Sequence, residues 1–314
     1  MHSLLEGMRC ADKDNAQGVI SALRDFVPLI DDLSALINRM KDELDPHVFY
    51  YHIRPFLAGS KGMASAGLPN GVIYDTGAGN EEYRQYAGGS NAQSSLIQFF
   101  DIALDVKHYP TGQKGPVDVA KTKNGTAPPP PQHNFLHESR MYMPRQHREF
   151  LERVQMVSNI RKYVEQRPDN KELTEAYNAC IFALTQFRNV HMAVVARYIV
   201  NMRSKPVEWV RGGETSQGMN IAVASSNDDE GKDSLRGTGG SDLLAFLKQT
   251  RDETAAAATK LAAPVKSVAY QAFVAQGRAA RAARELLSAG WDFGGSGEQN
   301  GERQRVVGAW PSES

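Results

Sequence analysis

The longest periodic stretch runs from Lys171 to about Arg203, where Tyr177, Cys180, Leu184, Phe187, His191, Val194 and Tyr198 recur at spacings of three and four. That period lines one helical face, so His191 interrupts an otherwise apolar stripe and is expected to point inward. Asp169 with Glu172 three residues on forms a capping-box pattern, and no glycine or proline breaks the run before Pro206, which predicts a rigid helix. Arg188 stands three residues before His191, on the same side about one turn away.

A second long helix is predicted from Ala16 to Leu44, with Leu23, Phe26, Ile30, Leu33, Ile37, Met40 and Leu44 inward and a kink at Pro28. Asp45 and Pro46 restart a helix that stops between Pro55 and Gly59. At about 100° per residue, Tyr50 and Arg54 share a face there, whereas Phe49 lies about 140° from Arg54. Gly88 and Gly89 form a turn of little bulk where backbone can approach a flat ligand. Behind it Ser90 and Gln93 form a capping box, and Asp101, eleven residues past Ser90, is placed to meet a cation on another helix.

Further on, Pro144 breaks a short helix from an amphipathic one that turns Phe150, Leu151, Val154, Val157 and Val164 inward. A Ser241 cap opens a last short helix with Leu243, Leu244 and Leu247 on its apolar side. The opening residues, MHSLLEGMRC, are helix-like without a capping signal, which predicts that the first turns of that element are missing.

Composition narrows the picture. At 314 residues and 41% hydrophobic content, the chain can bury a sizeable core. Its 36 basic and 36 acidic side chains balance, which argues against a nucleic-acid partner. No signal peptide, eighteen-residue apolar span or lipidation motif is evident, so no membrane is expected and a cytoplasmic setting is. Cys10 and Cys180 sit in helical patterns and are expected to be buried thiols. Residues 107–133, with the Pro128 to Pro131 run, and residues 204–240 read as flexible loops, the second a candidate lid hinged on glycines. Beyond Ala263 the alanine and arginine bias predicts a frayed helix and a disordered tail. His133, His137 and His147 match no metal-ligand spacing and are assigned to the surface.

Three chemistries compete for His191: a core histidine hydrogen-bonded to a carbonyl or hydroxyl, a general base, and an axial haem ligand. Arg54, among aromatic residues, could clamp a carboxylate beside a flat ligand or be an ordinary surface arginine.

Four separated segments, FYYHIRPFLAGSKGM, YAGGSNAQSSLIQFFDIAL, RMYMPRQHREFL and AYNACIFALTQFRNVHMAVVARYI, together resemble the large catalytic domain of the indoleamine 2,3-dioxygenases. GTGGSDLLAFLK resembles that family's C-terminal loop and helix, so the likeness spans about Ser3 to Thr254 and leans toward fungal members. The resemblance implies an all-α fold with helices around a haem pocket, residues 1–258 forming the catalytic domain and 259–314 an alanine-rich tail. It implies noncovalent heme b, dioxygen as cosubstrate, an electron donor that keeps the iron ferrous, and cleavage of the indole ring of L-tryptophan or other indoleamines to N-formylkynurenine, by a monomer.

Residue by residue, the resemblance makes His191 the proximal iron ligand, Arg188 the arginine that meets a haem propionate, and Asp101 that arginine's acid. Phe49 would lie beside the indole, and Arg54 would bind the substrate carboxylate. Gly89, Ser90 and Asn91 would line the substrate and haem edge. Thr238 would be the lid threonine and Ser3 the distal-pocket serine. The family's N-terminal small domain has no counterpart in this sequence, so an open distal wall is expected. A noncatalytic haem binder of the same family and a helical interaction scaffold are the alternatives.

Overall fold

The computed structural model describes residues 1–64, 67–77, 79, 81–113, 134–203, 235, 237–239, 242–259 and 267–288. Its core is built by α1 (His2–Asp12), α2 (Ala16–Asn38), α3 (Ser95–Ala103), α4 (Arg145–Val157), α5 (Ile160–Glu165), α6 (Lys171–Val195), α7 (Leu243–Ala256) and α8 (Ser267–Ser288). The described strands are β1 (Val72–Ile73) and β2 (Tyr83–Arg84), which pair antiparallel with Val72 opposite Arg84.

α6 is the central element, packed chiefly against α2 and α7. Its stripe is buried as the spacing requires: Tyr177, Cys180 and Leu184 are sealed off, against Leu23, Phe26 and Ile30 of α2. The buried hydroxyl of Tyr177 donates to the Leu104 carbonyl at 2.7 Å, and the Cys180 thiol donates to that of Leu23 at 3.2 Å, so neither polar group is left unmade. Both cysteines are free and buried.

The cap of α6 is Asn170, whose side chain accepts from the Leu173 amide, and not Asp169. Asparagine caps as well as aspartate, and starting one residue later seats Leu173 in the core. The helical run continues through a π turn (Ala196–Val200) to Arg203, so its geometry changes without any proline or glycine. The expectation of no long apolar span is corrected: Lys171–Arg203, with mean hydropathy 1.3 in its most apolar window, is long and apolar enough to cross a membrane. Its burial against α2 and α7 accounts for that composition as a core helix.

Several elements end sooner than the periodicity suggested. α2 stops at Asn38, with Pro28 accommodated inside it, and Met40–Glu43 forms a separate turn. α4 ends at Val157, which is exposed, because Ser158 and Asn159 break the run before α5. At α7 the cap is Asp242, accepting from the Ala245 amide; Leu243 and Leu247 then share the buried face and Leu244 turns outward. His137 and His147 are exposed, as expected, while His133 lies outside the described residues.

The helix expected beyond Ala263 is found over Ser267–Ser288 as α8, and it docks along α2 rather than fraying. Tyr270 and Val274 join the core, the Tyr270 ring meets Phe182 edge-on at 4.9 Å, and Arg278 pairs with Asp31 and Asp32 at 2.8 and 2.9 Å. Alanine bias hid an apolar stripe at Tyr270, Phe273 and Val274. Gly277 permits the close approach: a Cβ there would lie 2.6 Å from the Arg24 carbonyl oxygen and 2.8 Å from the Pro28 ring. Tyr270→Ala is expected to lower unfolding free energy by about 3 kcal/mol in urea titration, through the cavity left between α2, α6 and α8. A change below about 0.5 kcal/mol would mean that α8 does not dock in solution.

Candidate functional site

The candidate residues fall into three groups, two of them on or against the second half of the Lys171–Arg203 run. The first is at its end. Asp45 caps the Pro46–Val48 turn through the His47 and Val48 amides, and the chain then enters a π turn, Phe49–Ile53, followed by a 3-10 turn, Arg54–Leu57. The Arg54 amide donates to the Phe49 carbonyl, a five-residue closure. A π turn stacks residues five apart along the axis, so Phe49 and Arg54 fall on one side. The expected 140° separation is thereby corrected. The two π turns face each other, with the rings of Phe49 and Tyr198 edge-on at 5.5 Å and the Tyr198 hydroxyl donating to the Leu44 carbonyl at 2.7 Å.

Arg54 is fully buried, its guanidinium 5.6 Å from the centre of the Tyr50 ring, so the surface-arginine reading is overturned. Burial lowers its pKa. A cation held this far from water is a strong counter-charge for an anion that reaches it.

The second group is a knot of backbone. The Gly89 amide donates to the Leu57 carbonyl at 2.9 Å, the Gly88 amide to the Thr238 carbonyl at 3.0 Å, and the Thr238 hydroxyl to the Gly89 carbonyl at 2.6 Å. Ser90 caps the Asn91–Gln93 turn in the predicted capping box; the α-helix itself restarts at a second cap, Ser94. Gly88 serves this crossing rather than a ligand, since a Cβ there would lie 2.2 Å from the Leu57 carbonyl oxygen. A Cβ at Gly89 would meet open space, which leaves Gly89 as the glycine where a flat group can approach.

The third group surrounds Arg188 and His191. Asp101, buried in α3, meets the Arg188 guanidinium at 2.5 Å, the interhelical pair that the spacing predicted. Burial works against the Asp101 carboxylate, but Arg188 and His108 outweigh it and hold its pKa below the ordinary value. Arg188 keeps its Nε buried with no acceptor among the described residues.

His191 is half-buried, one turn from Arg188, and has no hydrogen-bond partner among the described residues. Burial, with the charge of Arg188, pushes its pKa below the ordinary histidine value, so the ring is neutral at pH 7 with a lone pair available. A histidine kept for core packing would bond a protein carbonyl or hydroxyl, and His191 bonds neither among the described residues, so that reading loses its main support. A general base needs a partner proton or acid, and no such group contacts this ring among the described residues. Neutral imidazole with a free lone pair, beside a buried guanidinium donor lacking an acceptor, fits an axial metal ligand next to a group carrying carboxylates.

A sequence profile described as "Indoleamine 2,3-dioxygenase" matches residues 1–257. The chain belongs to the indoleamine 2,3-dioxygenase family. It is 40% identical over 265 residues to an indoleamine 2,3-dioxygenase of Saccharomyces cerevisiae, covering 81% of this chain and 54% of that protein. It is 34% identical over 257 residues to a 6-hydroxytryptophan 2,3-dioxygenase of Fusarium equiseti (81% and 55%), and 31% identical over 244 residues to indoleamine 2,3-dioxygenase 1 of Mus musculus (77% and 51%). The chain therefore spans about half the length of the curated relatives it matches. α8 lies beyond the part matched by the family profile.

Ser3 is the indoleamine 2,3-dioxygenase candidate that the structure does not tie in. It is half-buried in the first turn of α1 and makes no hydrogen bond to another candidate among the described residues. A groove of about 640 Å³ lined by Lys41, Pro46, Ala193, Arg197, Asn201 and Met202 borders the first group at Pro46 and includes neither Arg54 nor His191. Sequence reading missed His108 and Glu253, whose side chains join Asp101 in the interior. His108 stands in a polar loop and Glu253 among charged residues of α7, so no local pattern distinguished them.

Proposed function

We propose that this chain binds heme b through His191 and forms the catalytic large-domain part of a dioxygenase that opens the indole ring of L-tryptophan or a related indoleamine, giving N-formylkynurenine. The reading rests on the neutral imidazole of His191 within the apolar stripe, which makes no hydrogen bond among the described residues. The bare Nε donor of Arg188 suits a propionate, with Asp101 fixing the other side of the guanidinium. Bound haem would supply dioxygen activation, which needs an electron donor to keep the iron ferrous.

The protein's own part is placement. Arg54 takes the amino-acid carboxylate as a buried cation, Phe49 stands beside it on the same side of the π turn as a wall for the indole, and Gly89, Ser90 and Asn91 form the facing edge. Thr238 closes that edge through its bonds to Gly88 and Gly89. Ser3 belongs to the distal wall. The protein acts as a cytoplasmic monomer with no nucleic-acid or membrane partner.

Titrating the purified chain with hemin and assaying kynurenine after deformylation, with a reductant present, tests both halves. A stoichiometric histidine-ligated Soret band and tryptophan-dependent product are expected. No Soret band would remove the haem assignment; a Soret band without product would leave a noncatalytic haem protein.

A further inference from the structure

Beyond Arg188 runs a buried chain of charged side chains alternating in sign. Arg188 lies 2.5 Å from Asp101 Oδ1, Asp101 Oδ2 lies 3.1 Å from His108 Nε2, and His108 Nδ1 lies 2.6 Å from Glu253 Oε2. The four side chains are at most 12% exposed. Glu253 is completed on Oε1 by the Tyr109 amide at 3.1 Å and the Gln249 side-chain amide at 2.7 Å. Gln249 also donates to the carbonyls of Tyr109 and Pro110 at 3.1 Å, and Asn134 donates to the His108 carbonyl at 3.1 Å. α7 is thus tied into the loop that follows α3.

The protonation state of His108 decides what this chain does. As imidazolium it carries an N–H on each ring nitrogen: Nδ1 hydrogen-bonds Glu253, and Nε2 faces Asp101 Oδ2 as a charged contact outside hydrogen-bond geometry. As neutral imidazole, with its one N–H kept on Glu253, it turns a lone pair toward Asp101 and the contact becomes repulsive. Burial pushes the His108 pKa down, but Asp101 and Glu253 push it up by more, against a smaller opposing effect of Arg188, so it is raised. These are the charged groups that face the ring from α3, α7 and α6.

We propose that His108 and Glu253 are positioning residues for the cofactor clasp: the imidazolium keeps Asp101 turned toward Arg188 and anchors α7 to the loop after α3. The proposal rests on the haem reading above, because Arg188 is its route to the cofactor. Its reach is longer than one contact. The Thr238 turn just before α7 bonds to Gly88 and Gly89, while Glu253, near the other end of α7, bonds to His108, so one helix joins the substrate edge to the propionate clasp.

The sign of the pH dependence follows. A raised folded-state pKa means that the imidazolium contribution is intact below the ordinary histidine value and is lost as pH rises through the raised one. Haem should leave faster on the alkaline side.

Haem transfer from the reconstituted protein to excess apomyoglobin, followed from pH 6 to 9, tests this. Release from the unmutated protein should speed up with pH. His108→Gln and Glu253→Gln should each release haem on the order of tenfold faster at pH 6, with the pH dependence flattened. The double variant should be no faster than either single one, because both break one chain. Lys107→Ala, on the exposed neighbour, should match the unmutated protein. Unchanged release rate and pH profile in His108→Gln would overturn the proposal. Nitrogen NMR of the His108 ring in the haem-free protein adds a readout that needs neither variant nor cofactor: a doubly protonated ring at pH 7 is expected, and a neutral one overturns the proposal. Absence of haem uptake by the unmutated protein would instead strike the function reading, whatever the ring shows.

Discussion

His191→Ala is expected to abolish stoichiometric haem binding while the helical bundle stays folded. The two halves of this result have separate causes. The imidazole has no hydrogen-bond partner among the described residues, so truncating it strands no buried donor or acceptor, and the ring is only half-buried. The cost to stability should therefore be under about 1 kcal/mol, read from urea titration of the haem-free protein. Haem affinity, on the proposed reading, would lose the ligand that His191 supplies, and since outer-shell changes alone cost about 10- to 100-fold, losing the ligand itself should cost more. The haem-to-protein ratio by pyridine haemochrome assay should fall to background, and added imidazole, small enough for the space left, should restore a Soret band. An undiminished ratio in the variant would show that iron is held elsewhere.

Arg54→Ala should raise the Michaelis constant for L-tryptophan on the order of 10- to 100-fold, as loss of a charge-assisted bond of about 1.5 to 3 kcal/mol implies. Haem content should not change, which separates this effect from that of His191. Because Arg54 is fully buried against Tyr50, Arg54→Lys keeps the charge but not the planar fork, and should recover only part of the binding. An analogue without the carboxylate, such as tryptamine, should be bound equally by Arg54→Ala and by the unmutated protein. A Michaelis constant unmoved by Arg54→Ala would place the carboxylate on another group.

How far the sequence carried depended on whether a feature obeys a short period. The stripe of α6, the Asp45 and Ser90 caps and the meeting of Asp101 with an arginine all follow from helical spacing and cap chemistry and are found, whereas His191 is only half-buried. The π turns were invisible, because their five-residue bonds come from packing between Phe49 and Tyr198 and no residue type marks them. That one unseen feature moved Phe49 onto the same side as Arg54. The Asp101, His108 and Glu253 cluster joins residues up to 152 positions apart and has no local signature. α8 was obscured by composition, since alanine and arginine hide how few apolar side chains a docked helix needs when Gly277 lets it close on α2.

The crossing of Leu57, Gly88, Gly89 and Thr238 has a bearing on how such a pocket can drift. Two of its three bonds run between main-chain groups, which every amino acid but proline can supply. Substitutions along Ser90, Asn91 and their neighbours can therefore recontour the cavity lining while the frame keeps its shape. In the proposed site, preference among indole compounds becomes adjustable by ordinary point changes, whereas Gly88, where a Cβ would strike the Leu57 carbonyl oxygen, is held to glycine by the frame itself.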